Sequence, residues 1–195
     1  MRVQKGFLAL LLMLAVGACS TNGSSESSAK SQADAQAKAA KINAAVDETL
    51  QRFYAEYPQG RQLANKAEGI LVFPKITKGG LVVGGAYGEG ALLIDNKIVN
   101  YYSTSSGSIG LQAGYQEHSQ IIMFKTPEAL TKFQNSSGWE IGADTSVAVV
   151  DKGAAGKIDT KTFDQPVVAF VFGQEGLMGS LSLEGSKIQK LNLKS

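Results

Sequence analysis

The chain has 195 residues, with 19 Lys and Arg against 17 Asp and Glu, 22 Gly, one Cys and one His. A single Cys excludes a disulfide scaffold and a cysteine-built zinc finger, and a single His excludes any metal site that needs two histidines. The net charge of +2 falls to zero without Arg2 and Lys5, which lie in an N-terminal segment that reads as removable. A charge-balanced chain is not a general nucleic-acid binder, because that affinity comes from neutralising many phosphates at once, so any attraction to an anion must be a local patch.

Arg2 and Lys5 precede an apolar run, Phe7 to Val16, and the small residues Gly17 and Ala18 stand directly before Cys19. The run is about ten residues, short of the roughly 20 that a membrane-spanning helix needs. Residues 1–18 therefore read as a signal peptide of the lipoprotein type. By resemblance to the bacterial pattern, Cys19 is expected to be acylated on its thiol and, after cleavage, on its new amino group. The competing reading is an ordinary cysteine in a signal cut elsewhere. Several acyl chains, such as palmitate, anchor stably where one alone is marginal. Ser20 stands where Asp would direct retention, so the sorting rule implies lipid anchoring at the outer membrane. An exported, oxidising compartment also fits a folded domain with no cysteine of its own.

Residues 19–37 are Ser-, Ala- and Gln-rich without large apolar side chains, and read as the lipidated cysteine and a flexible tether. A single domain is expected over 38–195. It opens on an amphipathic helix, with Ile42, Val46, Leu50, Phe53 and Tyr57 on one face and Pro58 and Gly60 as its stop. Such a helix can lie on a membrane or dock on its own domain. Its charges are mixed, Lys38, Lys41 and Arg52 beside Asp47, Glu48 and Glu56, whereas membrane-surface helices carry a Lys/Arg-dominated face; this favours docking.

A short helical piece over Arg61 to Ala67 leads to consecutive β-prone runs at Ile70–Phe73, Leu81–Ala86, Ala91–Ile94, Lys97–Tyr102, Ile109–Tyr115 and Gln120–Phe124. Thr126-Pro127-Glu128 reads as a helix start with a capping hydroxyl, and Asn135-Ser136-Ser137-Gly138 as its end. Further strands are predicted at Glu140–Val150, Pro166–Phe172, Leu177–Leu183 and Lys187–Leu193, about a Lys/Gly-rich connection from Asp151 to Thr160. About ten strands with two or three helices and no βαβ rhythm define an α+β fold. Glycines inside the strands point to a strongly curved antiparallel sheet or barrel-like β core, with the N-terminal amphipathic helix and one or two short helices. Trp139, Phe73, Phe124, Phe133, Phe170 and Phe172 read as core.

The search for chemistry is mostly negative. Gly79 to Gly90 is glycine-rich, but no Lys-Ser/Thr follows and the next residues read as strand, so it is not a phosphate loop. A hairpin turning near Tyr87 to Glu89 is the better reading. Ser27-Ser28-Ala29-Lys30 matches a Ser-x-x-Lys motif inside the tether without its usual companions. His118 is expected in an exposed turn, with no Gly-x-Ser-x-Gly elbow or cysteine nucleophile to accompany it, and the acids Asp95, Asp144, Asp151, Asp159 and Asp164 form no pair. No enzyme, cofactor or metal is implied.

The run Ala67 to Gly80, with Gly69-Ile70-Leu71-Val72-Phe73-Pro74-Lys75 at its centre, resembles the start of the SYLF domain. Gly110 to Gly114, Ile121 to Phe124, Phe133, Ile141 to Val149 and the closing Gly176 to Gly185 continue the resemblance in order, over about Lys38 to Ile188. Eukaryotic SYLF domains bind phosphoinositides, some fungal members bind actin, and bacterial members are predicted lipid-binding exported proteins. The resemblance implies a non-catalytic module that binds membrane phospholipids through anionic headgroups. Asn100-Tyr101-Tyr102-Ser103-Thr104 replaces the family's Trp-Ser-x-Pro segment, and Val150-Asp151-Lys152-Gly153 its central Gly-Pro, so headgroup preference does not carry over. Phosphoinositides and actin do not suit a bacterial envelope.

The expected headgroup contacts are Lys75 and Lys78 after Phe73, with Arg61 and Lys66 before it, four cations within 18 residues. A solvated loop explains the same charges. Lys38 and Lys41 match the basic start of the family's N-terminal helix. The alternative function is a structural or interaction lipoprotein of the cell envelope with a protein or peptidoglycan partner.

Overall fold

The computed structural model describes residues 23–80, 83–109, 114–142, 147–151, 164–176 and 185–193. The signal segment, Cys19, the predicted strand Leu177–Leu183 and the connection 152–160 lie outside the described residues. The elements are helix α1 (Gly23–Glu56), α2 (Pro58–Ala64), strands β1 (Gly69–Gly80), β2 (Val83–Ile94), β3 (Lys97–Ile109) and β4 (Gly114–Phe124), helix α3 (Pro127–Asn135), then β5 (Trp139–Glu140), β6 (Ala148–Asp151), β7 (Val167–Gly176) and β8 (Lys187–Leu191).

The eight strands form one curled sheet in the order β5-β8-β3-β2-β1-β4-β7-β6. Every pairing is antiparallel except β6 on β7. The fold is α+β, as the strand-rich text with few helices requires. Among the described residues several strands are longer than the sequence runs indicate. Glycines that look like punctuation lie inside β2, and the predicted hairpin at Tyr87 to Glu89 is absent because β2 runs straight through it. Strands β1 and β2 instead pair as far as Gly80 with Gly84. The next turn is at Asp95-Asn96, both at positive φ (50° and 61°), which Asn and Asp tolerate better than most residues. The expected strand Glu140–Val150 is split, since Gly142 turns the chain at φ 94°.

Helix α1 starts at Gly23 and so runs through most of the stretch expected to be a flexible tether. Its Ala, Gln, Lys and Glu are good helix formers, and no proline interrupts them before Pro58. From 29 to 37 the side chains are almost all exposed, so this part gains little from packing. From Ile42 onward the apolar stripe docks on the sheet: Ile42, Val46, Phe53 and Tyr57 are buried with Ile70, Val72, Ile121, Met123, Phe170 and Phe172. Phe53 meets Phe170 edge-on at 4.9 Å. Pro58 stops α1 but also opens α2, where its missing N–H costs nothing. Gly60 lies within α2 because a Cβ there would meet the Phe53 ring.

The opposite face of the sheet carries a second core of Leu71, Phe73, Ile76, Leu92, Ile122, Phe124 and Ile188. Helix α3 covers it, capped by Thr126 Oγ1, which accepts from the Ala129 N–H at 3.2 Å. Phe133 stacks on Phe124 at 4.7 Å and meets Trp139 edge-on at 5.5 Å. The six aromatic residues expected in the core are all buried.

One irregularity positions everything that follows. The register of β1 slips between Val72 and Lys75 against β2, and between Phe73 and Ile76 against β4, a bulge centred on Pro74. Proline has no ladder N–H to give, so a bulge is the form in which an interior strand accommodates it. The extra residue reverses the alternation. Beyond it, Ile76 and Lys78 face the second core's side, while Lys75 and Thr77 face α1.

Candidate functional site

Between α1 and the bulged part of β1 lies a cleft of about 430 Å³. Ile42, Ala45, Pro74 and Gly88 supply apolar lining, and Lys38, Lys41, Lys75, Thr77, Tyr87 and Glu89 complete it. Lys38, Lys41 and Ala45 stand three and four residues apart on α1, so they share one side of the helix. The docked apolar stripe of α1 holds that side against the sheet.

Two matching triads flank β1 here. On β2, Tyr87 Oη and Lys38 Nζ both donate to Glu89 Oε1, the lysine at 2.7 Å. On β4, Tyr115 Oη and Lys75 Nζ both donate to Glu117 Oε1. Tyr-x-Glu on a strand sets both side chains on one face, and pairing of Thr77 with Tyr87 on one side and Glu117 on the other brings the two triads together. Partial burial works to raise the Glu89 carboxyl, but hydrogen bonds from Lys38 and Tyr87 and the charge of Lys41 outweigh it and hold it below its ordinary value. Glu117 is lowered chiefly by its bond from Lys75, and Lys75 is raised by the same bond. Burial and the bond to Glu89 push the Tyr87 hydroxyl up to about 12. Lys41 makes no ion pair among the described residues, which leaves the rim of the cleft cationic.

A smaller polar recess of about 150 Å³ adjoins, sharing Pro74 and Lys75. Arg52 of α1 donates to Ser119 Oγ at 3.2 Å, and Ser119 in turn donates to the Pro74 carbonyl at 2.7 Å. The bulge thus recruits a side-chain partner for its displaced backbone oxygen.

On the opposite face the chemistry differs. His118 lies inside β4, 5% exposed, and not in the exposed turn expected from sequence. Glu117-His118-Ser119 reads as a polar turn, but the strand is continuous and its glutamate and serine point to the α1 side. Burial, and then the charge of Lys78, lower the His118 imidazole to about 4, so it is neutral at pH 7. Gln116 and Gln120 precede and follow it on the same face, both buried.

The structure sorts the sequence-predicted contacts into three places. Lys38, Lys41 and Lys75 converge on the cleft. Lys78 faces the other side of the sheet. Arg61 and Lys66 are exposed beside the start of β1, where Arg61 lies over the Tyr54 ring at 4.8 Å; six strand residues, about 20 Å, separate that end from Lys75. Sequence reasoning passed over Tyr87, Glu89, Tyr115 and Glu117, although the repeated Tyr-x-Glu was a usable signal. Arg52 and Ser119, 67 residues apart, had none.

The described fold is a curled sheet with a helix docked across it and a lysine-rimmed cleft between them. Residues 105–192 match the Ysc84 family model, described as Las17-binding protein actin regulator, which supports membership of the SYLF-domain family. The matched segment runs from the middle of β3 to just past β8; α1, β1 and β2 lie outside it. No curated protein matches the chain. SYLF domains are compatible with lipid binding and are generally non-catalytic.

Proposed function

We propose that this protein is a lipid-anchored, non-catalytic module of the outer membrane that binds anionic phospholipid headgroups in the cleft between α1 and the sheet. The observation that carries this reading is the joining of three lysines to an apolar floor in one open cleft of about 430 Å³. An ammonium cluster suits a phosphate, and Ile42, Ala45 and Pro74 suit the glycerol and upper acyl region beside it. Among the described residues no helix is long and apolar enough to cross a membrane. The apolar stripe of α1 is occupied by the sheet, so contact through the cleft needs no unpacking of the helix. Acylation at Cys19 would hold the cleft near a bilayer.

The test is co-sedimentation of a Cys19→Ala chain with neutral and anionic vesicles across a salt series. Salt-sensitive binding to the anionic vesicles is expected, lost on charge reversal at Lys38, Lys41 and Lys75 together. Binding that ignores the reversal would remove the cleft from the account. A protein partner is the second reading: Lys38 and Lys75 are already paired with carboxylates, and the family description names a protein partner. It predicts no vesicle binding once Cys19 is replaced.

A further inference from the structure

Among the described residues, the face opposite α1 carries a cation without the carboxylates that accompany the lysines of the cleft. Lys78 is half-buried there, makes no ion pair among the described residues, and is close enough to His118 to depress its protonation. Its cross-strand neighbour on β4 is Gln116, and its neighbour on β2 is the small Ala86. None of the residues that β1, β2, β3 and β4 turn to this face beyond the bulge is acidic.

Around Lys78, buried polar atoms stand without partners. Gln116 is 3% exposed and its Oε1 accepts nothing; His118 Nδ1 and, one row deeper, Gln120 Nε2 (1% exposed) are likewise unpaired. Buried polar side chains are nearly always hydrogen-bonded, and leaving one unpaired is costly, so consecutive orphans along one strand face call for a bound group. Their chemistry restricts what it is. Lys78 and a protonated Nδ1 donate to an oxyanion, as amide Nε2 does, while Gln116 Oε1 only accepts and needs a hydroxyl or ammonium from the ligand.

We propose that Lys78, Gln116 and His118, with Gln120 behind them, form a second binding site for a phosphate ester that carries a neighbouring hydroxyl or ammonium group. Lys78, Gln116 and Gln120 face away from the α1 cleft, while His118 also borders the small polar recess that adjoins the cleft; the Pro74 bulge sets which face Lys75 and Lys78 take. A phosphoglycerol or phosphoethanolamine unit has this pairing of groups, whether free or as part of a lipid.

His118 is the only histidine, so its ring resonances report the site directly in an NMR titration of the full chain. The probes are inorganic phosphate, glycerol 3-phosphate and phosphatidylglycerol vesicles. A saturable shift is expected with glycerol 3-phosphate, at lower concentration than with inorganic phosphate. Response to the soluble ester alone assigns a free ligand, and response to vesicles alone assigns a lipid headgroup; both support the site. Lys78→Gln should weaken binding roughly tenfold or more, and Gln116→Leu should erase the preference for the ester over inorganic phosphate. Lys75→Gln, in the cleft, should leave the His118 shift intact, which keeps this test independent of the headgroup reading above. No saturable shift with any probe, or an unchanged affinity in Lys78→Gln, overturns the proposal.

Discussion

The two faces of the glycine-rich end of the sheet treat positive charge in opposite ways. On the α1 face, Lys38 and Lys75 are each held by a glutamate that also takes a tyrosine hydroxyl, so a phosphate arriving there must compete with carboxylates already in place. On the other face Lys78 has no carboxylate partner among the described residues and sits beside unpaired amide and imidazole atoms. The first arrangement gives an open, exchangeable, salt-sensitive surface. The second places buried polar groups without partners beside a cation. The count of lysines does not separate these environments; the distribution of acids and of burial does.

The comparison breaks most severely through the helix that makes one face possible. Phe53→Ala removes the ring that packs on Phe170, Phe172 and Tyr57, and should cost roughly 3–5 kcal/mol in urea-monitored unfolding. In any folded fraction, salt-dependent vesicle binding should fall with the loosened cleft, while the His118 resonance keeps its response to glycerol 3-phosphate.

Acid sharpens the other side. His118 titrates near its ordinary 6.5 in the unfolded chain and at about 4 when folded, so the unfolded state takes up the proton first. Stability is therefore lost as the pH falls from about 6.5 to 4 and changes no further through this group below that, a total of roughly 3 kcal/mol. Denaturant titrations of the protein and of His118→Gln across this window should diverge by that amount. Parallel curves would mean the imidazole is not buried in its neutral form.

Charge reversal of Lys38, Lys41 and Lys75 together should lower affinity for anionic vesicles by roughly a hundredfold, while reversal of Arg61 and Lys66 should have far less effect because they lie at the far end of β1. The smallest effect belongs to the Lys38 to Glu89 pair by itself. With the lysine side chain 41% exposed, Lys38→Met should change stability by less than about 1 kcal/mol in the same urea assay. Its contribution is present above the ordinary carboxylate range and fades as the pH falls through the lowered value of Glu89.

Much of the fold is legible because local patterns carry it. The spacing of Ile42, Val46, Phe53 and Tyr57 defines a buried helix stripe wherever the partner lies, and Thr126 before Pro127 signals a cap. Alternating apolar strands and few helices are enough for α+β. The register of β2 was not legible, because Gly84, Gly85, Gly88 and Gly90 resemble turn residues, yet Gly88 and Gly90 serve close approach. A Cβ on Gly90 would run into the Val72 carbonyl and the Phe73 ring. His118 was misplaced for a related reason: Glu117, His118 and Ser119 look like a polar turn unless both faces of the strand are known to have polar neighbours.

The amino-acid sequence alone determined that this chain has a basic-then-apolar N-terminal run, an amphipathic helix, a glycine-rich antiparallel sheet and the basic residues worth testing. Those follow from composition and short-range periodicity. Only the tertiary structure decided which lysines act together. Lys75 and Lys78 are three residues apart in one strand, so alternation alone puts them on opposite faces, and the extra residue at the Pro74 bulge decides which face each takes, Lys75 toward α1 and a glutamate, Lys78 toward a buried histidine. Register is set by hydrogen bonding to the neighbouring strands β2 and β4, whose pairing residues lie tens of positions away, and no local pattern records it.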